Sequence, residues 1–150
     1  LCFLMKKHMK KYITLGLLIL MVFNTKAQTN KIDIVMEPKI LLIGRSLDVM
    51  EILKNELAKF DRNIVCANST ELIEKNLNNG DIDLIVIGAG LPDETRDEME
   101  NFIKDLQPQV PLYIIERTSD GNPAKMIDFT NEKAVLWKVE KIIGKMPAKK

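Results

Sequence analysis

Short apolar runs alternate with amphipathic stretches over residues 36–145. The apolar runs have the length of buried strands and cover residues 40–43, 63–67, 83–87 and 112–115. Between them, apolar side chains recur every three or four residues, as at Met50, Leu53 and Leu57, which is the pattern of a helix with one buried face. Strands that alternate with helices through short connections form a parallel sheet. The pattern therefore predicts an α/β domain with a single, doubly wound parallel sheet.

The region after the fourth strand has two interpretations. In the first, a shortened fourth helix leads to a short fifth strand at residues 125–129, and a final helix starts at Asn131, because Thr130 and Asn131 interrupt the helical pattern. In the second, residues 124–144 form one helix and the fifth strand is absent. We expect the first arrangement. Its final helix has an apolar side made of Val135, Val139, Ile142 and Ile143.

The first 35 residues differ from the rest in charge and hydropathy. They carry six lysines and one aspartate, whereas the whole chain has 22 basic and 21 acidic residues, so the remainder is net acidic. A lysine pair precedes an apolar run over residues 12–23, and Thr25 and Ala27 have the small size required near a cleavage site. Residues 9–27 therefore resemble a signal peptide, because the run is shorter than the roughly 20 residues of a membrane-spanning helix.

A second interpretation places the start of the domain at Met36. The residues Met36-Glu37-Pro38-Lys39 precede the first strand as a translation start would. Residues 1–35 are then an upstream extension of a cytoplasmic domain at 36–145, with a tail at 146–150. Cleavage after residue 27 would instead make the same domain periplasmic or secreted.

The reactive side chains narrow the function classes. One histidine, His8, and two cysteines, Cys2 and Cys66, exclude a disulfide scaffold, a four-cysteine zinc site and a histidine-based triad in the domain. Cys66 lies in an apolar strand and is expected to be a buried structural thiol. A net acidic domain does not favour nucleic-acid binding. We expect no catalytic residue, metal ion or cofactor, and no membrane association of residues 36–150.

The third strand and the loop after it carry a family resemblance. Residues 83–93 have the sequence DLIVIGAGLPD, and residues 39–43 have the sequence KILLI. These segments resemble parts of response-regulator receiver domains, in which the pattern D-L-(three apolar)-D-x-x-L-P-D surrounds the phosphorylated aspartate. The resemblance covers roughly residues 37–145. It implies a flavodoxin-like fold with strand order 2-1-3-4-5.

The side chains on which receiver chemistry depends are missing from the matching positions. Gly88 stands where the resemblance places the phosphoacceptor aspartate, and Gly44-Arg45-Ser46 replaces the acidic pair that binds magnesium. Glu116 falls near the position of a small hydroxyl residue, and no Lys-Pro follows residues 125–129. Aspartyl phosphorylation needs a carboxylate nucleophile and a cation held by oxygen ligands. The chain therefore resembles a degenerate receiver, or pseudo-receiver, that is not phosphorylated on aspartate.

The resemblance also implies a function and a compartment. It predicts a non-enzymatic bacterial signal-transduction or interaction domain whose partner is another protein. Receivers transmit their signal through the region after the fourth strand, which places the partner surface here at residues 125–145. Because receivers operate inside the cell, a cytoplasmic domain that starts near Met36 is favoured over an exported one.

A second function class is the binding of a small anionic ligand or nucleotide. Residues 88–90 lack bulky side chains, so the backbone amides at the carboxyl edge of the sheet are open to an anion. The glycines do not complete a dinucleotide fingerprint, because they follow the third strand and Asp93 stands at the sixth position. The loops after the first and third strands are neighbours in this topology. The candidate ligand-binding residues are Arg45, Ser46, Gly88, Ala89, Gly90 and Arg96.

Overall fold

A computed structural model of the chain describes residues 37–117 and 122–144. The predicted signal-like segment, Met36 and the tail at 146–150 lie outside the described residues. The strands are β1 (Lys39–Ile43), β2 (Asn63–Ala67), β3 (Leu84–Ile87) and β4 (Leu112–Ile114). The helices are α1 (Leu47–Ala58), α2 (Thr70–Asn78), α3 (Asp93–Leu106) and α4 (Pro123–Ile143).

The four strands form one parallel sheet in the order β2-β1-β3-β4. The predicted α/β class, the single parallel sheet and the order of the first four strands are thus confirmed. Alternate residues of each strand point to opposite faces, and both faces are covered. Ile43 and Ile87 face a core shared with α2 and α3, whereas Leu42 and Val86 face a second core shared with α1 and α4.

The predicted fifth strand is absent from the described residues, because residues 125–129 belong to α4. Asn122 caps this helix by accepting a hydrogen bond from the backbone N–H of Ala124 at 2.9 Å, and Pro123 occupies the first turn. The Thr130 hydroxyl, whose presence argued for an interruption, donates to the Met126 carbonyl at 2.7 Å and is satisfied within the helix. A single helix of 21 residues therefore replaces the predicted fifth strand and final helix.

The buried face of α4 is also different from the apolar side that the sequence indicated. Met126, Thr130 and Ala134, four residues apart, are the buried residues of the helix. Val135 and Ile142 are 50% and 65% exposed. The small side chains at 130 and 134 allow the helix backbone to approach α1 and the sheet, which leaves the larger aliphatic side chains outside.

Local signals mark the helix ends. Ser69 caps α2 by accepting from the Leu72 N–H at 3.3 Å, and Gly80 with φ of 73° follows its end. Helix α3 begins at Asp93, with Pro92 at the N-cap position. None of the helices in the two described ranges is long and apolar enough to span a bilayer.

The exposure of α4 gives a paired prediction for stability. Ala134→Leu adds volume at a position with no exposed surface and is expected to lower the free energy of unfolding by about 1–3 kcal/mol. Val135→Leu, one residue further on, is expected to change it by less than about 0.5 kcal/mol. Urea denaturation of both variants measures the difference. The reverse order would put the 135–142 side of the helix against the sheet.

Candidate functional site

A cavity of about 420 Å³ opens at the carboxyl edge of the sheet. The ends of β1 and β3 and the first turns of α1 and α4 form its walls, which is where ligands bind in open parallel sheets. The structure brings five of the six predicted ligand-binding residues to this cavity. They are Arg45, Ser46, Gly88, Ala89 and Gly90. That they bind a ligand stays a prediction.

Two methionines fill the space beside the strand ends. A Cβ atom on Gly44 would lie 2.8 Å from the Sδ atom of Met50, which is 2% exposed. A Cβ atom on Gly88 would lie 3.2 Å from the Ile43 carbonyl oxygen and 3.5 Å from the Cε atom of Met126. Met126 is 8% exposed. The space beside residues 44 and 88, where a receiver would hold acidic side chains, is therefore narrow and lined with thioether groups.

The backbone at Gly88 continues the sheet beyond the last residue of β3. Its N–H donates to the Ile43 carbonyl at 2.8 Å, and the Gly44 N–H donates to the Ala67 carbonyl at 3.2 Å. These two amides are consequently engaged in the sheet. The open backbone of the site lies further along the loop at Gly90, which is exposed and where a Cβ atom would meet no atom within 4 Å.

Charged side chains line the mouth of the cavity. Among the described residues they are Arg45, Arg117, Lys125 and Glu116. Arg45 is exposed and makes no hydrogen bond or ion pair with any residue in the two described ranges. Ser46 occupies the N-cap position of α1, but its hydroxyl makes no capping bond. Arg45 and Ser46 are thus available to a ligand.

Two arginines fix the loop that follows β3. Arg117 donates from Nη2 to the Leu91 carbonyl at 2.5 Å, and its Nε atom lies 3.5 Å from the Asp93 carboxylate. Arg96 donates from Nη2 to the Ile115 carbonyl at 2.5 Å, and its Nη1 atom lies 3.5 Å from the same carboxylate. Both contacts join the start of α3 to the end of β4.

The structure does not bring Arg96, the sixth predicted residue, to the cavity. Its side chain is 11% exposed and is directed to the end of β4. Its Nε atom is buried and has no hydrogen-bond partner among the described residues. Since it supports the loop behind the cavity, Arg96 is a positioning residue for the cavity wall.

Residues of the cavity that the sequence did not indicate come from the end of β4 and from α4. Lys125 and Met126 line the cavity because residues 123–129 form the first turns of α4, and Arg117 lines it from the segment after β4. Because residues 125–129 were expected to form a strand, Lys125 and Met126 were not predicted to line the cavity. Met50 was recognised as a buried helix residue, and the glycine at position 44 was the one local signal that a large side chain approaches the strand end.

Cys66 is half-buried in β2 and not fully buried as predicted, because β2 is at the edge of the sheet; its Sγ atom lies 3.8 Å from the Met50 carbonyl oxygen. Burial raises the pKa of the thiol, an effect that Lys54 opposes and Glu51 reinforces. A raised folded-state pKa contributes stability below the unfolded pKa of about 8.5, and this contribution is lost as the pH rises through the folded value.

The half-buried position of Cys66 predicts slow alkylation of its thiol. In a Cys2→Ser background, iodoacetamide is expected to modify Cys66 about tenfold or more slowly at pH 8.5 than in the urea-unfolded chain. Mass spectrometry of the quenched reaction measures both rates. Equal rates would show that the thiol is exposed and not protected by burial.

Comparisons with known proteins add no assignment. The chain matches no protein-family model, and no curated protein is significantly similar to it. In residues 37–117 and 122–144, no group of three or more histidine, cysteine, aspartate or glutamate side chains is placed to hold a metal ion.

Proposed function

We propose that the domain is a receiver-like, non-enzymatic signalling or interaction module that is not switched by aspartyl phosphate. The observation that carries this proposal is the packing of Met50 and Met126 beside Gly44 and Gly88. Phosphoryl transfer to a receiver needs a carboxylate nucleophile and a hard cation held by oxygen atoms. Thioether groups supply neither, and a cation near Arg45 would be repelled.

Helix α4 supports another protein as the partner. An apolar stripe runs along the helix and is formed by Val135, Val139, Ile142 and Ile143. Val139 is half-buried and the other three are exposed, Ile142 by 65% and Ile143 by 62%. Apolar side chains gathered on one surface mark interaction sites. The stripe lies within the segment 125–145 where the receiver resemblance places the partner surface. The same helix contributes Met126 to the cavity, so the two regions share one rigid element.

Incubation with acetyl phosphate and magnesium tests the proposal. We expect no acid-labile adduct by intact-mass spectrometry under conditions that phosphorylate an active receiver domain run in parallel. The expected result follows from the absence of a carboxylate in residues 44–46 and 88–90. A stoichiometric adduct on an aspartate of residues 37–144 would overturn the proposal.

A second candidate function is the binding of a small anionic ligand, and the cavity with its uncommitted Arg45 favours it. A thermal-shift screen with nucleotides, flavins and phosphorylated metabolites tests it. A shift that Arg45→Ala removes would support ligand binding. Unchanged melting temperatures over the whole panel would leave the interaction module as the better account.

The compartment is part of the proposal, and we propose a cytoplasmic domain. The protein purified from its native source is examined by N-terminal mass spectrometry. A first residue at Met36 or Glu37 is expected for a cytoplasmic domain. A first residue at Gln28 would instead indicate cleavage of the signal-like segment and export.

A further inference from the structure

We propose that the cavity binds a small amphipathic monoanion, a molecule with an apolar body and a single carboxylate head, of the size of a medium-chain fatty acid. The inference rests on the second candidate function, ligand binding at the same site, and goes beyond it by naming the chemical class. It does not depend on the receiver resemblance.

The inner wall of the cavity fits an apolar body. Val49 on α1 and Ile115 after β4 contribute accessible aliphatic surface, and Met50, Leu53 and Met126 lie directly beneath it with 2–8% of their surface exposed. Methionine side chains are flexible and polarisable, so they adapt to ligands of different shape. A charged group at the end of the ligand away from the mouth would have to lie against this wall without a partner, which is strongly unfavourable. The wall therefore selects for one charged end.

The volume of the cavity accommodates the proposed ligand. At about 420 Å³ it lies within the range of roughly 300–1,000 Å³ found for small-molecule sites, and octanoate fits within it. Titration with octanoate and with phosphorylated metabolites separates the proposed class from the phosphorylated cofactors that open parallel sheets commonly bind.

The mouth of the cavity fits the anionic head. Arg45 is exposed and has no partner in the described ranges, and the Ser46 hydroxyl beside it is uncommitted. On the other side the described lining residues include Lys125, Glu116 and Arg117, whose guanidinium is held by Asp93 and the Leu91 carbonyl, so the uncommitted charge for the head is that of Arg45. A guanidinium that hydrogen-bonds a carboxylate in a partly desolvated site makes one of the stronger polar contacts in proteins.

Isothermal titration of the full chain with butanoate, hexanoate and octanoate tests the apolar body. Each buried methylene is expected to lower Kd about fourfold, so octanoate binds about tenfold or more tightly than hexanoate. Octanol, which lacks the charge, and inorganic phosphate, which lacks the body, are expected to bind at least about fivefold more weakly than octanoate. Equal affinity for butanoate and octanoate, or for octanol and octanoate, would overturn the proposal.

Matched variants test where octanoate binds. Arg45→Gln is expected to raise Kd about fivefold to twentyfold, and Glu116→Gln to lower it about twofold. Lys104→Gln, a change of the same charge on the exposed surface of α3, is expected to leave Kd unchanged. Ile142→Asp, which disrupts the apolar stripe of α4, is expected to leave it unchanged too. Loss of binding in Ile142→Asp, or full binding in Arg45→Gln, would place the ligand elsewhere and overturn the proposal.

The outcomes separate this inference from the function on which it rests. If a phosphorylated metabolite binds in an Arg45-dependent manner and octanoate does not, ligand binding stands and the named class is wrong. If neither binds, both are wrong. The acetyl phosphate experiment bears on the interaction module and leaves this inference unaffected.

Discussion

Gly88→Asp is expected to lower the free energy of unfolding by about 2–4 kcal/mol and to create no phosphorylation site. The new Cβ atom would lie 3.2 Å from the Ile43 carbonyl oxygen and 3.5 Å from the Met126 Cε atom, so buried neighbours must move. The carboxylate would also be placed near a carbonyl oxygen and a thioether, neither of which donates a hydrogen bond. Positive charge at the mouth of the cavity offsets only part of this cost.

The same loop provides the control for Gly88→Asp. Gly90→Asp adds the same charge where a Cβ atom meets no atom within 4 Å, and it is expected to change stability by less than about 0.5 kcal/mol. Urea denaturation measures both variants, and acetyl phosphate with magnesium is expected to leave both unmodified. A stable Gly88→Asp variant that accepts a phosphoryl group would show that the strand end retains receiver chemistry.

Arg96→Met is expected to lower the free energy of unfolding by about 2–4 kcal/mol. The substitution keeps most of the volume but removes the 2.5 Å hydrogen bond from Nη2 to the Ile115 carbonyl and the ion pair with Asp93. A charged donor to a buried carbonyl contributes about 1.5–3 kcal/mol, and the carbonyl left without a partner adds to the loss. The site is 11% exposed, so water replaces the lost contact poorly.

Arg117→Met is the matched control for this position. Its guanidinium also reaches the loop, through the Leu91 carbonyl, but the side chain is 50% exposed. The expected loss is below about 1 kcal/mol, because water can take the place of an exposed donor. If Arg96→Met kept full stability and instead abolished ligand binding, Arg96 would be a ligand contact and not a positioning residue.

The sheet could be predicted from the sequence because each strand is a continuous apolar run that can be recognised without knowing its neighbours. The KILLI run of β1 and the LIVI run of β3 are buried on both faces, and a parallel sheet requires apolar residues at every position of such strands. The short connections then limited the topology. Neither step needed knowledge of side-chain packing.

Helix α4 could not be predicted in the same way, since its extent and its buried face depend on tertiary packing. Thr130 is a poor helix residue in isolation, and its bond to the Met126 carbonyl makes it compatible with a helix. The large apolar residues at 135, 142 and 143 are exposed, whereas the buried face has the small residues Thr130 and Ala134. The periodicity of large apolar residues therefore indicated the exposed face of the helix as the buried one. What decided the orientation was close packing against α1, where small residues fit best.

The residues of the candidate site also fall into those whose position follows from the strand order and those whose position depends on long-range packing. The position of residues 44–46 beside residues 88–90 follows from the strand order, so five of the six predicted residues line one cavity, and their binding of a ligand stays a prediction. The direction of the Arg96 side chain depends on where β4 ends, and the contribution of Met126 depends on α4. Both are long-range contacts that residue spacing does not encode.

Nuclear magnetic resonance of the chain with isotope-labelled methionine methyl groups tests the central claim, that thioethers occupy the strand ends. We predict Overhauser contacts from the Met126 methyl group to the Gly88 α-protons and from the Met50 methyl group to those of Gly44, with both signals unchanged by acetyl phosphate and magnesium. Methyl groups that lack these contacts, or that shift on addition of acetyl phosphate and magnesium, would contradict the account.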